Sequence, residues 1–298
     1  MNLQTWQFRF TALGGSCEIR ICTERKEDAM AQTEAAISEI DRIEKKFSRY
    51  REDSFISRIN QGAGQGEWFE CDAETCWLLD YADTLYTHSD GLFDITSGVL
   101  RRAWNFREAR LPNADAIAAL LPLIGWRQVE REGARVRLPQ SGMEIDLGGF
   151  GKEYATDNAA NLLSRAGIRH GYVNLGGDIH VMGPQPDGQP WLIGIQNPRQ
   201  KGEIIATIPL TQGGLATSGD YEKFFEIDDQ RYCHVLHPRT GYPVSHWRSI
   251  SVMAPLTIAA GSYSTIAMLK ERQAPAFLEQ TGLDFLAIDH TGNMLRPG

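Results

Sequence analysis

The chain has 298 residues and a formal net charge of −8, with 30 Lys and Arg against 38 Asp and Glu. That balance argues against a protein whose affinity for nucleic acid rests on phosphate neutralisation. A composition of 42% hydrophobic and 23% charged residues excludes both a disordered chain and a membrane-embedded one.

At about 150 residues per domain, the length fits a single domain over 1–298, either one body or two intertwined lobes. The opening residues show no basic segment followed by an apolar one, and no stretch approaches the ~20 apolar residues of a membrane span. The five cysteines Cys17, Cys22, Cys71, Cys76 and Cys233 lack zinc-ribbon spacing and read as free thiols of a reducing compartment.

In chain order, residues 6–11 and 16–22 alternate apolar and polar around Gly14-Gly15 and predict a hairpin. Ala36, Ile37, Ile40, Ile43 and Phe47 recur at helical spacing and predict a long amphipathic helix from Lys26 to Phe47. A second helix is expected over 73–88, and a short capped one after Asn113. Strands are expected at 135–138 and 143–147, then a helix over 153–166 stopped by Gly167, then a strand at 171–175. Further strands are expected at 191–196, 203–210, 232–236 and 285–289, with helices at 260–270 and 274–281. Helices and strands mix without a βαβ rhythm, so the expected class is α+β, with mixed or antiparallel sheets and packed helices.

Four segments carry candidate chemistry. In Asp146-Leu-Gly-Gly-Phe-Gly-Lys152, glycines precede a helix start, an arrangement that either cradles phosphate or simply makes a tight turn with Lys152 in solvent. It has neither Walker nor G-x-G-x-x-G spacing. Asn174-Leu-Gly-Gly-Asp178 ends a strand in paired glycines, and Thr217-Ser-Gly-Asp-Tyr221 concentrates hydroxyls beside a carboxylate. The fourth, 232–246, holds His234, His237 and His246 beside Arg239. Its spacing matches no common zinc site and better suits a general base or a phosphate contact.

Taken with Phe47–Asn60, Phe93–Gly98, Ala103-Trp-Asn-Phe106 and His234–Val244, these segments stand in the order found in the ApbE family of FAD:protein FMN transferases, which the chain resembles from about Phe10 to beyond Lys270. The resemblance implies a T-fold-like α+β architecture. It also implies transfer of FMN from FAD, through a phosphoester, to a Thr or Ser hydroxyl of an acceptor flavoprotein, with AMP leaving and Mg2+ bridging the pyrophosphate. Tyr50, Trp104, Asn105, Phe106, Asp146, Gly148, Lys152, Asp178, Ser218, Cys233 and His234 are then the expected cofactor contacts. His246 is the expected base, and Gly149, Gly261 and Thr265 occupy the metal positions.

Two departures stand out. The family's late segment reads Ala-Asp-x-x-x-Thr, with Asp and Thr on magnesium, whereas this chain has Ala260-Gly261 and keeps Thr265; His237 also replaces an Asp. Loss of a hard anionic ligand weakens a magnesium site, unless Asp220 or Asp178 compensates. Gly261→Asp is accordingly expected to raise magnesium affinity and transfer together. The same gap keeps open two other activities: an FAD-binding carrier or sensor, and an FAD pyrophosphatase. Cys17 lies inside a predicted strand and is no lipid anchor, so the expected location is cytoplasmic, or exported with the signal already removed, with no membrane span and no nucleic-acid partner.

Overall fold

The computed structural model describes residues 3–297. It opens with the expected hairpin, β1 (Gln4–Ala12) and β2 (Gly15–Thr23), paired without interruption from Gln4↔Thr23 to Ala12↔Gly15. The two turn residues, Leu13 at φ 52° and Gly14 at φ 74°, are both left-handed, as a two-residue hairpin requires. Leu13 pays a steric cost there that glycine would not, and its N–H is held by Glu44 Oε2 at 2.9 Å.

Glu44 lies on α1 (Lys26–Phe47), which buries Ala29, Thr33, Ala36, Ile40, Ile43 and Phe47 along one stripe. Next come α2 (Phe55–Gln61), capped by Ser54, and β3 (Phe69–Glu70). Then follow α3 (Ala73–His88), capped by Asp72, and α4 (Ala114–Leu120), capped by Asn113. β4 (Glu130–Glu132) and β5 (Arg135–Arg137) form a small sheet in the order β3-β5-β4.

The second half contains α5 (Gly151–Arg165), β6 (Gly171–Leu175), β7 (Asp178–Gly183), β8 (Trp191–Gln196), β9 (Ile204–Leu210) and β10 (Gly213–Gly219). After these come β11 (Phe224–Ile227), β12 (Gln230–Cys233) and β13 (Trp247–Ala254). The chain closes with α6 (Thr257–Lys270), α7 (Ala274–Thr281), β14 (Phe285–Asp289) and β15 (Met294–Leu295).

One eight-stranded antiparallel sheet, ordered β1-β2-β6-β7-β10-β13-β14-β15, joins both ends of the sequence. Residues of α1, α3 and α5 share a core with β2 and β6, and α6 packs with β13 and β14. The class is therefore α+β, as expected. No described helix is long and apolar enough to cross a membrane, and none of the five cysteines is paired.

Residues 143–147, expected as a strand, make none. Asn60 takes the Ile145 backbone on both sides, accepting from its N–H at 2.7 Å and donating to its carbonyl at 2.9 Å, so a side-chain amide replaces the ladder partner. The strand placed at 232–236 lies instead at Gln230–Cys233, and the helix placed at 153 starts two residues earlier. β7, β10 and β13 are the central strands that sequence pattern did not single out.

An ion cluster ties α1 to α3 and α5. Glu74 accepts from Arg42 at 2.6 and 2.9 Å, from Lys46 at 2.7 Å and from the Tyr154 hydroxyl at 2.8 Å. Burial pushes its carboxyl up, but these donors outweigh it and bring it down to about 2, from an ordinary value of 4.5. Between those two values the unfolded chain binds the extra proton, so the cluster's contribution is complete above pH 4.5 and is lost as pH falls toward 2. Urea unfolding should lose about 2–3 kcal/mol across that window through this group. Glu74→Gln should flatten the dependence there, and an unchanged slope would remove the cluster from the acid response.

Candidate functional site

The site is assembled where α5 begins. Asp146 enters from a backbone bond to Ile95 (2.8 Å), and its carboxylate accepts the Gly148 N–H at 2.9 Å and pairs with Arg49 at 3.1 Å. Oδ1 thus holds the glycine turn while Oδ2 faces the Arg49 guanidinium. Gly149 packs so closely on Phe93 that a Cβ there would lie 2.7 Å from the ring. Gly151 then starts the helix; its own N–H donates to the Leu147 carbonyl at 2.7 Å, and no side chain caps the turn that follows.

Lys152 points across to the β6–β7 turn, where Gly176 (φ 61°) and Gly177 (φ 100°) adopt backbone that only glycine takes without strain. Its Nζ pairs with Asp178 Oδ2 at 2.9 Å and lies 3.4 Å from the Gly176 carbonyl. Burial pushes the Lys152 ammonium down, but Asp178 and then Glu153 outweigh it, so it stays charged. Burial raises Asp178, with Lys152 opposing. Burial, and then the negative charge of Asp178, pushes the Glu153 carboxyl well above the usual range.

The opposite wall is α6. Asp157, one turn after Glu153, accepts the N–H groups of Thr257 (2.8 Å) and Ile258 (2.9 Å) and bonds His180 at 2.7 Å. α6 thus takes its N-terminal cap from another helix. This contact and the packing of Glu153 on Gly261 set α5 and α6 antiparallel, with 157 beside 257 and 153 beside 261. The same register carries Thr265 toward the glycine turn. Ser218, at the end of β10, closes the group through bonds to Ser264 (2.7 Å) and Thr265 (2.9 Å).

The expected aromatic contacts separate. Tyr50 is 73% exposed, with the Arg49 guanidinium 4.7 Å from its ring centre. Trp104 is 2% exposed, stacked among Phe106, Phe225 and Tyr232, with its indole N–H donating to Gly241 at 2.7 Å. Its faces are covered in this arrangement, which leaves Tyr50 as the open ring. Asn105 is exposed and turns its own loop by accepting from the Arg107 N–H at 3.1 Å.

The Cys233 thiol is buried, with its S–H directed to the Val244 carbonyl at 3.4 Å and its pKa pushed up to about 12 by burial. It also borders a cavity of about 310 Å³ shared with Asp220, Arg231 and His290. His234 reaches the surface in a crowded setting, where its surroundings, then Lys223 and Lys152, push its imidazole down. Asp220 is committed to Arg199 through two bonds of 2.7 Å, with Arg231 at 3.5 Å.

His246 stands just before β13, four residues ahead of Ile250, which pairs with Ser218. It lines a cavity of about 540 Å³ with His237, Arg239, Lys270, Arg272 and His290. Burial, and then the neighbouring charges of His290 and Arg272, hold its pKa below the ordinary histidine value, which favours the neutral ring. Sequence reasoning missed Arg49, Glu153 and Asp157. All three lie within or beside the motif segments, but nothing in sequence spacing revealed that α5 and α6 face one another.

Fold and site together define a class: an α+β protein with an oxygen-rich junction at the uncapped start of a sheet-packed helix, flanked by a lysine and paired glycines. A sequence model of the ApbE family matches residues 13–287, and the chain belongs to that family. It is 30% identical over 285 residues to a Haemophilus influenzae protein named FAD:protein FMN transferase, covering 91% of this chain and 81% of that one. A Treponema pallidum protein of the same name is 30% identical over 301 residues, covering 93% and 82%. Among solved structures, the ApbE protein of Thermotoga maritima superposes with TM-score 0.90 at 32% identity, covering 99% of this chain and 97% of that one. The flavin transferase ApbE of Vibrio cholerae superposes with TM-score 0.89 at 25% identity, covering 100% and 98%.

Proposed function

We propose that this chain is an FAD:protein FMN transferase, moving FMN from FAD to a Thr or Ser hydroxyl of an acceptor flavoprotein. The acceptor oxygen forms a bond to the FMN phosphorus, the bond from that phosphorus to the bridging oxygen breaks, and AMP departs with the bridging oxygen. The observation that carries this reading is the convergence of Lys152, the α5 N-terminus and the Ser218–Thr265 pair at one junction, in a chain of this family.

The start of α5 carries the positive end of the helix dipole, which suits the pyrophosphate, and Lys152, held beside it by Asp178, adds a cation at the same turn. Tyr50 offers an open ring for stacking, supported by Arg49. His246, held neutral, takes the proton from the acceptor hydroxyl, which is a weak nucleophile until its proton has somewhere to go.

Among the described residues no three His, Cys, Asp or Glu side chains converge as a ready-made metal cage. The junction nevertheless fits magnesium: its donors are oxygens, and Glu153 keeps one buried oxygen without a hydrogen-bond partner. The Thr265 hydroxyl and the Gly149 carbonyl would hold the ion together with ligand phosphate oxygens. Bound magnesium neutralises charge on the transferring phosphoryl group.

The test is incubation of the protein with FAD and Mg2+, with and without an acceptor flavoprotein. Covalent flavin on a Thr or Ser of the acceptor is the expected result. Free FMN and AMP without covalent product would replace transfer by pyrophosphatase action, and unchanged bound FAD would leave a carrier.

A further inference from the structure

Position 261 carries no side chain, yet the space beside it is filled. A Cβ built on Gly261 would fall 2.6 Å from Cγ and 2.8 Å from Cδ of Glu153, and closer still to Oε1. The carboxylate of Glu153 therefore occupies volume that a larger residue at 261 would claim. Asp157 holds this register one turn away through its two bonds to the start of α6.

Glu153 is 8% exposed, and its Oε2 has no hydrogen-bond partner among the described residues. A buried carboxylate oxygen left without a donor is costly unless a cation joins it. The neighbouring acids are already committed: Asp178 to Lys152, Asp220 to Arg199, Asp146 to Arg49, and Asp157 to α6. Asp178 Oδ2 also lacks a hydrogen bond but faces the Lys152 ammonium at 2.9 Å, and Asp220 is held by Arg199, whereas Glu153 makes no ion pair among the described residues.

We propose that Glu153 supplies the carboxylate for the divalent cation of this site, presented from α5 through the space that Gly261 leaves on α6, with Thr265 a turn further along. This deepens the transferase reading and rests on it only in that the cation accompanies the pyrophosphate of FAD. It also reverses the expectation for Gly261→Asp. In the parent background, a side chain at 261 collides with Glu153 and brings a second negative charge against the first, so that substitution weakens metal binding. The carboxylate has to move from one helix to the other, not be added.

The experiment titrates Mn2+, as a spectroscopic stand-in for Mg2+, into protein saturated with FAD and without acceptor, reading free Mn2+ by electron paramagnetic resonance. Glu153→Gln should weaken Mn2+ binding about tenfold or more while the apo protein keeps its unfolding temperature. Gly261→Asp alone should also weaken it, and the double variant Glu153→Ala/Gly261→Asp should recover affinity to within about threefold of the parent. Parent-like Mn2+ binding by Glu153→Gln, or no Mn2+ binding by the parent, overturns the proposal. Should Glu153→Gln fail to fold, the double variant decides: recovered affinity supports the relocation and absent affinity refutes it. Because no acceptor is present, a metal site dependent on Glu153 would stand even if no protein were flavinylated, and flavinylation with a Glu153-independent metal would leave the transferase reading intact.

Discussion

His246→Ala is expected to slow flavin transfer by roughly 10²–10⁴-fold while changing FAD affinity little. A base that accepts the acceptor's proton acts in the transition state, whereas the proposed FAD contacts lie at the start of α5, in groups this substitution does not touch. Because burial and the nearby His290 and Arg272 hold the His246 pKa below its ordinary value, the neutral ring persists to lower pH. The acid limb of the rate profile should therefore lie below the ordinary histidine value of about 6.5. In the alanine variant that limb should disappear from the residual rate. Single-turnover transfer measured against pH, alongside FAD titration, checks both statements. A variant as fast as the parent would take His246 out of the mechanism.

Asp157→Ala should cost about 2–4 kcal/mol of stability by chemical denaturation, combining the loss of a charged helix cap with an orphaned buried partner. Two N–H groups at the start of α6 would lose their acceptor, and His180 its 2.7 Å partner. Asp157→Asn keeps an acceptor oxygen but not the charge, and should fall between parent and alanine. The same substitutions should loosen the register that brings Glu153 to Gly261, so Mn2+ affinity should fall in the same order. A loss under about 0.5 kcal/mol, within the range of an ordinary surface change, would mean that α6 is held elsewhere.

Much of the local structure was legible from residue order. The spacing of apolar residues marked α1 and α3, and Asn113 marked the start of α4, because capping and amphipathicity depend on near neighbours. The first hairpin was equally plain. Where pattern failed, a distant residue had intervened: Asn60 took the backbone of Ile145 across 85 positions and removed an expected strand. β10 was hidden for a related reason. Its sequence, Gly-Gly-Leu-Ala-Thr-Ser-Gly, carries little strand propensity and is stabilised by pairing with β7 and β13 and by the close approach of α6.

The site divides along the same line. The glycine turn, Lys152, Asp178, Ser218 and Thr265 stood out in sequence because glycine freedom, charge and hydroxyl chemistry belong to single residues. Their commitments did not, since a carboxylate's availability depends on which cation reaches it first. Only the tertiary structure showed Asp178 and Asp220 taken by Lys152 and Arg199. Only it covered Trp104 with its neighbours and brought Glu153 to the space beside Gly261. Residue order determined which chemical groups this protein owns and the short-range turns that present them. The pairing of groups more than a hundred positions apart was decided by helix packing, because burial leaves each charge only the partners that folding places within a few ångströms.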